Sequence, residues 1–300
     1  MREELFKNCT LCPRKCNVNR LEGKRGYCGM DGTIRAARAA LHMWEEPCIS
    51  GKKGSGAVFF SGCGLRCCFC QNRDIAIGDS GKEISVERLA EIFLELQEKG
   101  AANLNLVTGA HYVPHIISAL ELARGKGMNL PVVYNSSGYE SVETIRRLDG
   151  YVDVYLPDMK YMELELAAAF SNARDYPQAA QSAIAEMMRQ TGPCQFAEDG
   201  YIKRGTIVRH LILPGHTKNS IAVLKYLYRT YGEDIFISVM NQYTPVWKNE
   251  KFPELNRKVT RREYEKVLDA AIELGIENGY FQEGETAEES FIPAFDYEGV

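Results

Sequence analysis

Short apolar runs alternate with amphipathic stretches from residue 57 to residue 276, and the alternation reads as repeated strand–helix units. AVFF (57–60), NLNLVT (103–108), PVVYNS (131–136), VDVYLPD (152–158), TIVRHLILP (206–214) and DIFISVMNQY (234–243) predict six strands. They are apolar on both sides, as strands buried in a parallel sheet are. Between them, SVERLAEIFLELQEKG (85–100) carries a helical period, with Ser85 placed to cap its start and Gly100 just past its end. VPHIISALELARGKG (113–127), SVETIRRLDG (141–150), two stretches around 163–170 and 176–191, and NSIAVLKYLYRTYG (219–232) read as further helices. A last helix, 260–276, opens on a capping box formed by Thr260 and Glu263. CQFAEDGYIKRG (194–205) predicts a small hairpin turning at Glu198-Asp199-Gly200. Strands alternating with helices give parallel βα units, either an open doubly wound sheet or a barrel, complete or partial. In both, ligands gather at the C-terminal ends of the strands.

Cysteine placement divides this pattern. Nine of the ten cysteines precede residue 71 (Cys9, Cys12, Cys16, Cys28, Cys48, Cys63, Cys67, Cys68 and Cys70), and Cys194 stands alone beyond. The division expected is a Cys-rich, metal-binding segment over 1–53 and a catalytic body over 54–300. The start, MREELFKNCTLCPRKC, has no apolar core of a signal peptide, and no run reaches the roughly 18 apolar residues of a membrane span. A cytoplasmic protein that meets no membrane is expected, with thiols kept reduced for metal binding or catalysis rather than for disulfides. A net charge of −4 argues against nucleic acid as the main partner.

The stretch 61-SGCGLRCCFCQN-72 follows the first of the six strands directly. Cys63, Cys67 and Cys70 have the spacing C-x3-C-x2-C, whereas Cys68 is adjacent to Cys67 and poorly placed to reach the same metal from the same turn. A [4Fe–4S] cluster held by three thiolates keeps one iron open to a ligand. The alternative is a closed zinc site with Cys48 as fourth ligand. Upstream, Cys9, Cys12, Cys16 and Cys28 are spaced C-x2-C-x3-C-x11-C, a second metal signal. An Fe–S cluster and a zinc knuckle both fit it.

C-x3-C-x-aromatic-C after the first strand, with Phe69 as the aromatic residue, resembles the signature of radical S-adenosylmethionine (SAM) enzymes. Over roughly 54–285 the chain looks closest to the pyruvate formate-lyase activating enzyme and its relatives, within them to the uncharacterised PflX-like branch. The resemblance implies an α/β fold, a partial (β/α)6 barrel of the TIM type preceded by the small Cys-rich segment. It implies that SAM chelates the open iron and is cleaved to a 5′-deoxyadenosyl radical, which abstracts hydrogen from a substrate. The nearest relatives imply a protein or peptide substrate and a flavodoxin- or ferredoxin-type electron donor. The other readings are a small-molecule substrate, or an Fe–S redox carrier without SAM chemistry.

The resemblance also implies a SAM pocket, with departures from the family pattern. Thr108-Gly109-Ala110-His111 stands where the family has Gly-Gly-Glu, so Thr108, backbone carbonyls near Gly109, and His111 are the groups expected to meet the SAM ammonium. Asn135-Ser136-Ser137-Gly138 replaces Asp-Thr-Asn-Gly. Asn135 and Ser137 are expected to line the pocket, with Gly138 making the turn. In Asp158-Met159-Lys160, Lys160 is expected to meet the SAM carboxylate and Asp158 to orient the lysine or the ribose. Arg209 matches the arginine of R-x-(apolar)3-P-G, while His210 alternates to the other face as a structural residue. Gln242 stands near the expected adenosine position.

Overall fold

The computed structural model describes residues 4–78, 80–281 and 293–300. Ten strands form the sheet system: β1 (Ile34–His42), β2 (Ser55–Phe60), β3 (Lys82–Ile84), β4 (Leu104–Val107), β5 (Val132–Ser136), β6 (Val154–Pro157), β7 (Gln195–Phe196), β8 (Ile202–Leu211), β9 (Phe236–Met240) and β10 (Gly279–Phe281). Their order is β10-β9-β8-β6-β5-β4-β2-β1-β3, with β7 paired to β8 as a short hairpin. The six predicted strands lie side by side in parallel, and β10 extends the row in parallel beyond β9. The sheet order ends at β10 on one side and β3 on the other, the open form of a partial barrel.

Strand alternation sorts the side chains into two layers. Val132, Tyr134 and Tyr155 turn outward into the main core. There the helices Val86–Glu98 and Val113–Gly125 contribute Leu89, Phe93, Ile116 and Leu120. Val133, Val154, Leu156 and Ile207 turn inward. The expected caps are present: the Ser85 side chain accepts from the Arg88 N–H, and Thr260 and Glu263 form the capping box at the last helix.

Besides the short strands β3 and β10, two unpredicted elements bear on the site. Residues 34–42, inside the stretch expected as the Cys-rich segment, form β1, antiparallel to β2 from Ala36↔Phe60 to His42↔Ser55. IRAARAALH is rich in alanine, whose intrinsic preference is helical. Pairing overrides it, with β2 on one edge and both β3 and residues 297–298 on the other, where Ala39 N–H donates to the Glu298 carbonyl and Tyr297 N–H to Ala37. The second element is the short helix Pro47–Ser50, which plugs the barrel floor. Ile49, fully buried, packs among Val133, Val154, Ile202 and Ile207. Asn103 Nδ2, just before β4, donates to the Ile49 carbonyl at 2.7 Å and holds the plug in place.

Candidate functional site

β2 ends at Phe60, and the chain turns through Gly62 at φ +88. A Cβ there would come within 2.4 Å of Met30 Cγ and 2.9 Å of the Cys28 carbonyl, so only glycine lets the cysteine loop leave this strand. Cys63, Cys67 and Cys70 come close enough for their charges to interact. Burial pushes all three thiols up, Cys70 to about 12; nearby Cys67 adds to the rise at Cys63 and Cys70 while Lys160 opposes it. Such thiols ionise when a metal takes the place of the proton, so the donor set fits an iron–sulfur cluster. Ser171 Oγ donates to Cys67 Sγ at 3.0 Å.

Cys68 turns away toward Asn249 and Glu254. Cys48 lies on the floor plug beside Tyr280, in a cluster separate from the cysteine loop, so the zinc site that needs it as fourth ligand is not formed. Among the described residues no three His, Cys, Asp or Glu side chains converge tightly enough to hold a single metal ion.

Beside the loop, at the ends of β6 and β8, lies a chain of largely, but not fully, buried charges. Lys160 Nζ donates to Asp158 Oδ2 at 2.5 Å, and Arg209 Nε to Asp158 Oδ1 at 3.2 Å. Arg209 Nη2 donates to Asn135 Oδ1 at 2.6 Å and Nη1 to Glu45 Oε2 at 3.0 Å. The other Glu45 oxygen accepts from Asn105 Nδ2 and Asn135 Nδ2, each at 3.1 Å. Burial acts to raise the Asp158 carboxyl, but Lys160 and Arg209 outweigh it and hold the pKa below the ordinary value. Burial likewise acts against the Lys160 ammonium, and Asp158 and Cys67 overcome it. The site therefore presents a fixed cation beside the cysteine loop.

Glu45 and Asn105 were not anticipated from the sequence. The one available signal was an asparagine at an inward position of an apolar strand and two acidic residues in Trp44-Glu45-Glu46-Pro47.

Of the remaining expected residues some adjoin this network, while His111 and Phe69 make their contacts elsewhere. Thr108 follows β4 at φ +60, a strained conformation for a β-branched residue, and its N–H donates to the Asn135 carbonyl. A Cβ on Gly109 would meet Ile116 Cδ1 at 2.6 Å. Gly138, at φ +77, has no room either: a Cβ would stand 2.1 Å from the Asp158 carbonyl oxygen. The turn it makes brings the Ser137 carbonyl, like that of Asp158, to the Tyr176 hydroxyl at 2.9 Å. Phe69 packs between Phe170 and Tyr243. His111 is buried with Nε2 2.7 Å from the Ser61 carbonyl, while its own carbonyl accepts from Arg20; burial lowers its pKa to about 3, so the ring is neutral. His210 is structural, with Nδ1 2.7 Å from the Met159 carbonyl. Gln242 lines a central cavity of about 490 Å³ together with Gln71, Asn72, Asn135, Arg209 and Trp44.

The N-terminal cysteines pack against the cysteine loop. Cys9, Cys12 and Cys28 are buried near one another, Arg20 Nη2 donates to Cys28 Sγ at 3.1 Å, and Cys16 Sγ accepts from the Tyr27 N–H. Arg14 Nε donates to the Gly64 carbonyl at 2.9 Å, and Arg66 Nη2 to Tyr27 at 2.9 Å.

Nearby, Glu140 is buried, accepts from Ser136 Oγ at 2.8 Å, and has its pKa pushed up to about 7 by burial. At pH below the unfolded value of 4.5 both states carry the proton; between 4.5 and about 7 only the folded state does. Stability from the neutral carboxyl is thus complete at low pH and lost as pH rises through 7. Wild type should lose about 3 kcal/mol across this window that Glu140→Gln retains. Urea unfolding at the two ends of the window measures the difference, and parallel pH profiles would refute the assignment.

The family model of the radical SAM superfamily matches residues 57–227. An uncharacterised protein of Methanocaldococcus jannaschii is 30% identical over 276 residues, 90% of this chain and 75% of that protein. A pyruvate formate-lyase-activating enzyme of Clostridium pasteurianum is 28% identical over 111 residues, 35% of this chain and 45% of that enzyme. Among solved structures, native anSMEcpe with bound AdoMet aligns with a TM-score of 0.48 at 12% identity, over 71% of this chain and 57% of that one. SuiB of Streptococcus suis bound to the precursor peptide SuiA aligns at 0.46 and 14%, over 74% of this chain and 46% of SuiB. The chain thus spans about half the length of these solved structures.

Proposed function

The chain belongs to the radical SAM superfamily, and from that premise we propose that Cys63, Cys67 and Cys70 hold a [4Fe–4S] cluster at which SAM is reductively cleaved. When bound, the cluster and SAM supply one electron, a broken sulfur–C5′ bond and a 5′-deoxyadenosyl radical that takes hydrogen from a substrate. The observation that carries the reading is the Lys160 ammonium, fixed by Asp158 and close to Cys67. Lys160 meets the SAM carboxylate, Asp158 holds the lysine, and Arg209 with Glu45 holds Asp158. Thr108, Gly109, His111, Asn135, Ser137 and Gln242 are the pocket residues proposed around SAM, with Phe69 behind the loop. The floor plug keeps water out from below.

We propose a protein or peptide substrate, as for an activating enzyme, on the strength of the likeness to the Clostridium enzyme. A small-molecule substrate is the second reading, favoured by a cavity closed at its floor. A flavodoxin- or ferredoxin-type donor supplies the electron, in the cytoplasm, with neither nucleic acid nor membrane as partner. No helix among the described residues is long and apolar enough to cross a membrane. For Cys9, Cys12, Cys16 and Cys28 we propose a second metal centre, an Fe–S cluster in preference to zinc, since among the described residues no three such side chains converge on a single ion.

The test is anaerobic reduction of iron-reconstituted protein with SAM, followed by quantification of 5′-deoxyadenosine. Lys160→Ala should retain its iron and bind SAM about tenfold more weakly or worse, as a partly buried ion pair is lost. Unchanged affinity removes Lys160 from the site. A loaded wild type that neither binds nor cleaves SAM sinks the reading.

A further inference from the structure

The same plug that carries Glu45 carries Glu46, and the two carboxylates are treated differently. Glu45 has three donors, Asn105, Asn135 and Arg209. Glu46 is 8% exposed and lines the central cavity with Trp44, Ser238, Met240 and Tyr280. Its Oε2 is buried and meets no hydrogen-bond donor among the described residues. The Ser238 hydroxyl and the Glu46 N–H support the carboxyl group, burial with Glu45 alongside holds its pKa above the ordinary value so that the ionised form awaits a cation, and nearby Arg209 is already engaged with Asp158, Asn135 and Glu45. A buried carboxyl oxygen without a donor is costly, and folded proteins rarely leave one so. The group that repairs it is an N–H donor, best a charged one, because a low-dielectric pocket strengthens the attraction. Aromatic rings such as those of Trp44 and Tyr280, in the same cavity, attract cations as well.

We propose that Glu46 anchors a cationic nitrogen, an ammonium or guanidinium, of the molecule that occupies the barrel lumen. That end sits at the floor, and the remainder extends toward Gln71 and Asn72, which follow the cysteine loop and line the same cavity. The proposal rests on the reading that the lumen is the substrate site. The cation belongs to a free amine or to a lysine or arginine side chain of a peptide, and the two sources are separable.

The experiment is anaerobic calorimetric titration of the iron-loaded full chain with agmatine, with a capped Gly-Arg-Gly tripeptide, and with urea as an uncharged mimic. Wild type should bind one or both cations and not urea, and Glu46→Gln should weaken that binding by roughly thirtyfold or more, as when one partner of a buried charge pair is neutralised. Agmatine alone identifies a free amine; the tripeptide alone identifies a polypeptide side chain. Glu46→Gln should melt within a few degrees of wild type, because no protein donor depends on Oε2. A loss of more than about 5 °C marks Glu46 as a structural support and overturns the proposal. Equal cation binding by both proteins, or none by wild type, overturns it too. If wild type cleaves SAM yet ignores both cations, this inference falls alone. If Glu46-dependent binding occurs in a protein that neither binds nor cleaves SAM, the radical reading falls and the cation site stands.

Discussion

Arg209→Leu should destabilise the protein by about 3–5 kcal/mol, the usual effect of stripping one partner from a buried ion pair. Arg209 donates from Nε, Nη1 and Nη2 to Asp158, Glu45 and Asn135, so leucine leaves two inward carboxylates with Lys160 as the remaining partner cation. The lost guanidinium volume adds little by comparison. The direction can be checked against a repacking effect with a second substitution. Glu45→Gln placed on Arg209→Leu removes one of the stranded charges, and the double variant should be more stable than Arg209→Leu alone. Urea unfolding of wild type, both single variants and the double variant gives the coupling. Additive losses would mean that charge compensation is not what Arg209 supplies.

Adjacent cysteines should behave in opposite ways. Cys67→Ala should abolish the proposed cluster: iron and sulfide at the loop fall to background, and 5′-deoxyadenosine formation becomes undetectable. The Cys67 thiol is partly buried, takes a hydrogen bond from Ser171, and lies close to Cys63, Cys70 and Lys160. Cys68→Ala should keep iron and SAM cleavage, because its side chain lies toward Asn249 and Glu254. Its cost is that of a small, half-buried thiol, about 1 kcal/mol. Iron and sulfide analysis of both variants, in a background lacking Cys9, Cys12 and Cys28, keeps the second metal site out of the count. Loss of iron from Cys68→Ala would mean that the wrong three thiols were chosen.

The parallel strands were readable in the sequence because each is buried on both faces, and their apolar runs have no other economical explanation. Asp158 and Lys160 were readable as a pair because charges at the end of an apolar strand have nowhere else to point, and Arg209 only through the family resemblance of RHLILPG; the structure brings the three together. β8 starts at Ile202, four residues before the expected strand, because the hairpin arm runs straight into it. β1 was not readable: its alanines favour helix locally, and the pairing that decides its state comes from β2 and from residues 297 and 298. The floor plug was hidden for a related reason. Four helical residues carry no period, and nothing local says that Glu45 will meet an arginine 164 residues away.

That separation bears on how the chain is made. Glu45 leaves the ribosome long before Arg209, and at elongation rates of roughly 5–20 residues per second the interval is on the order of 10–30 s. During it, the glutamate and Ile49 have no β8 to close against, and the half-built lumen stands open to water and to other chains. The final settling of the barrel is therefore a late, long-range event. Nascent chains stalled before β8 should be the ones that chaperones hold.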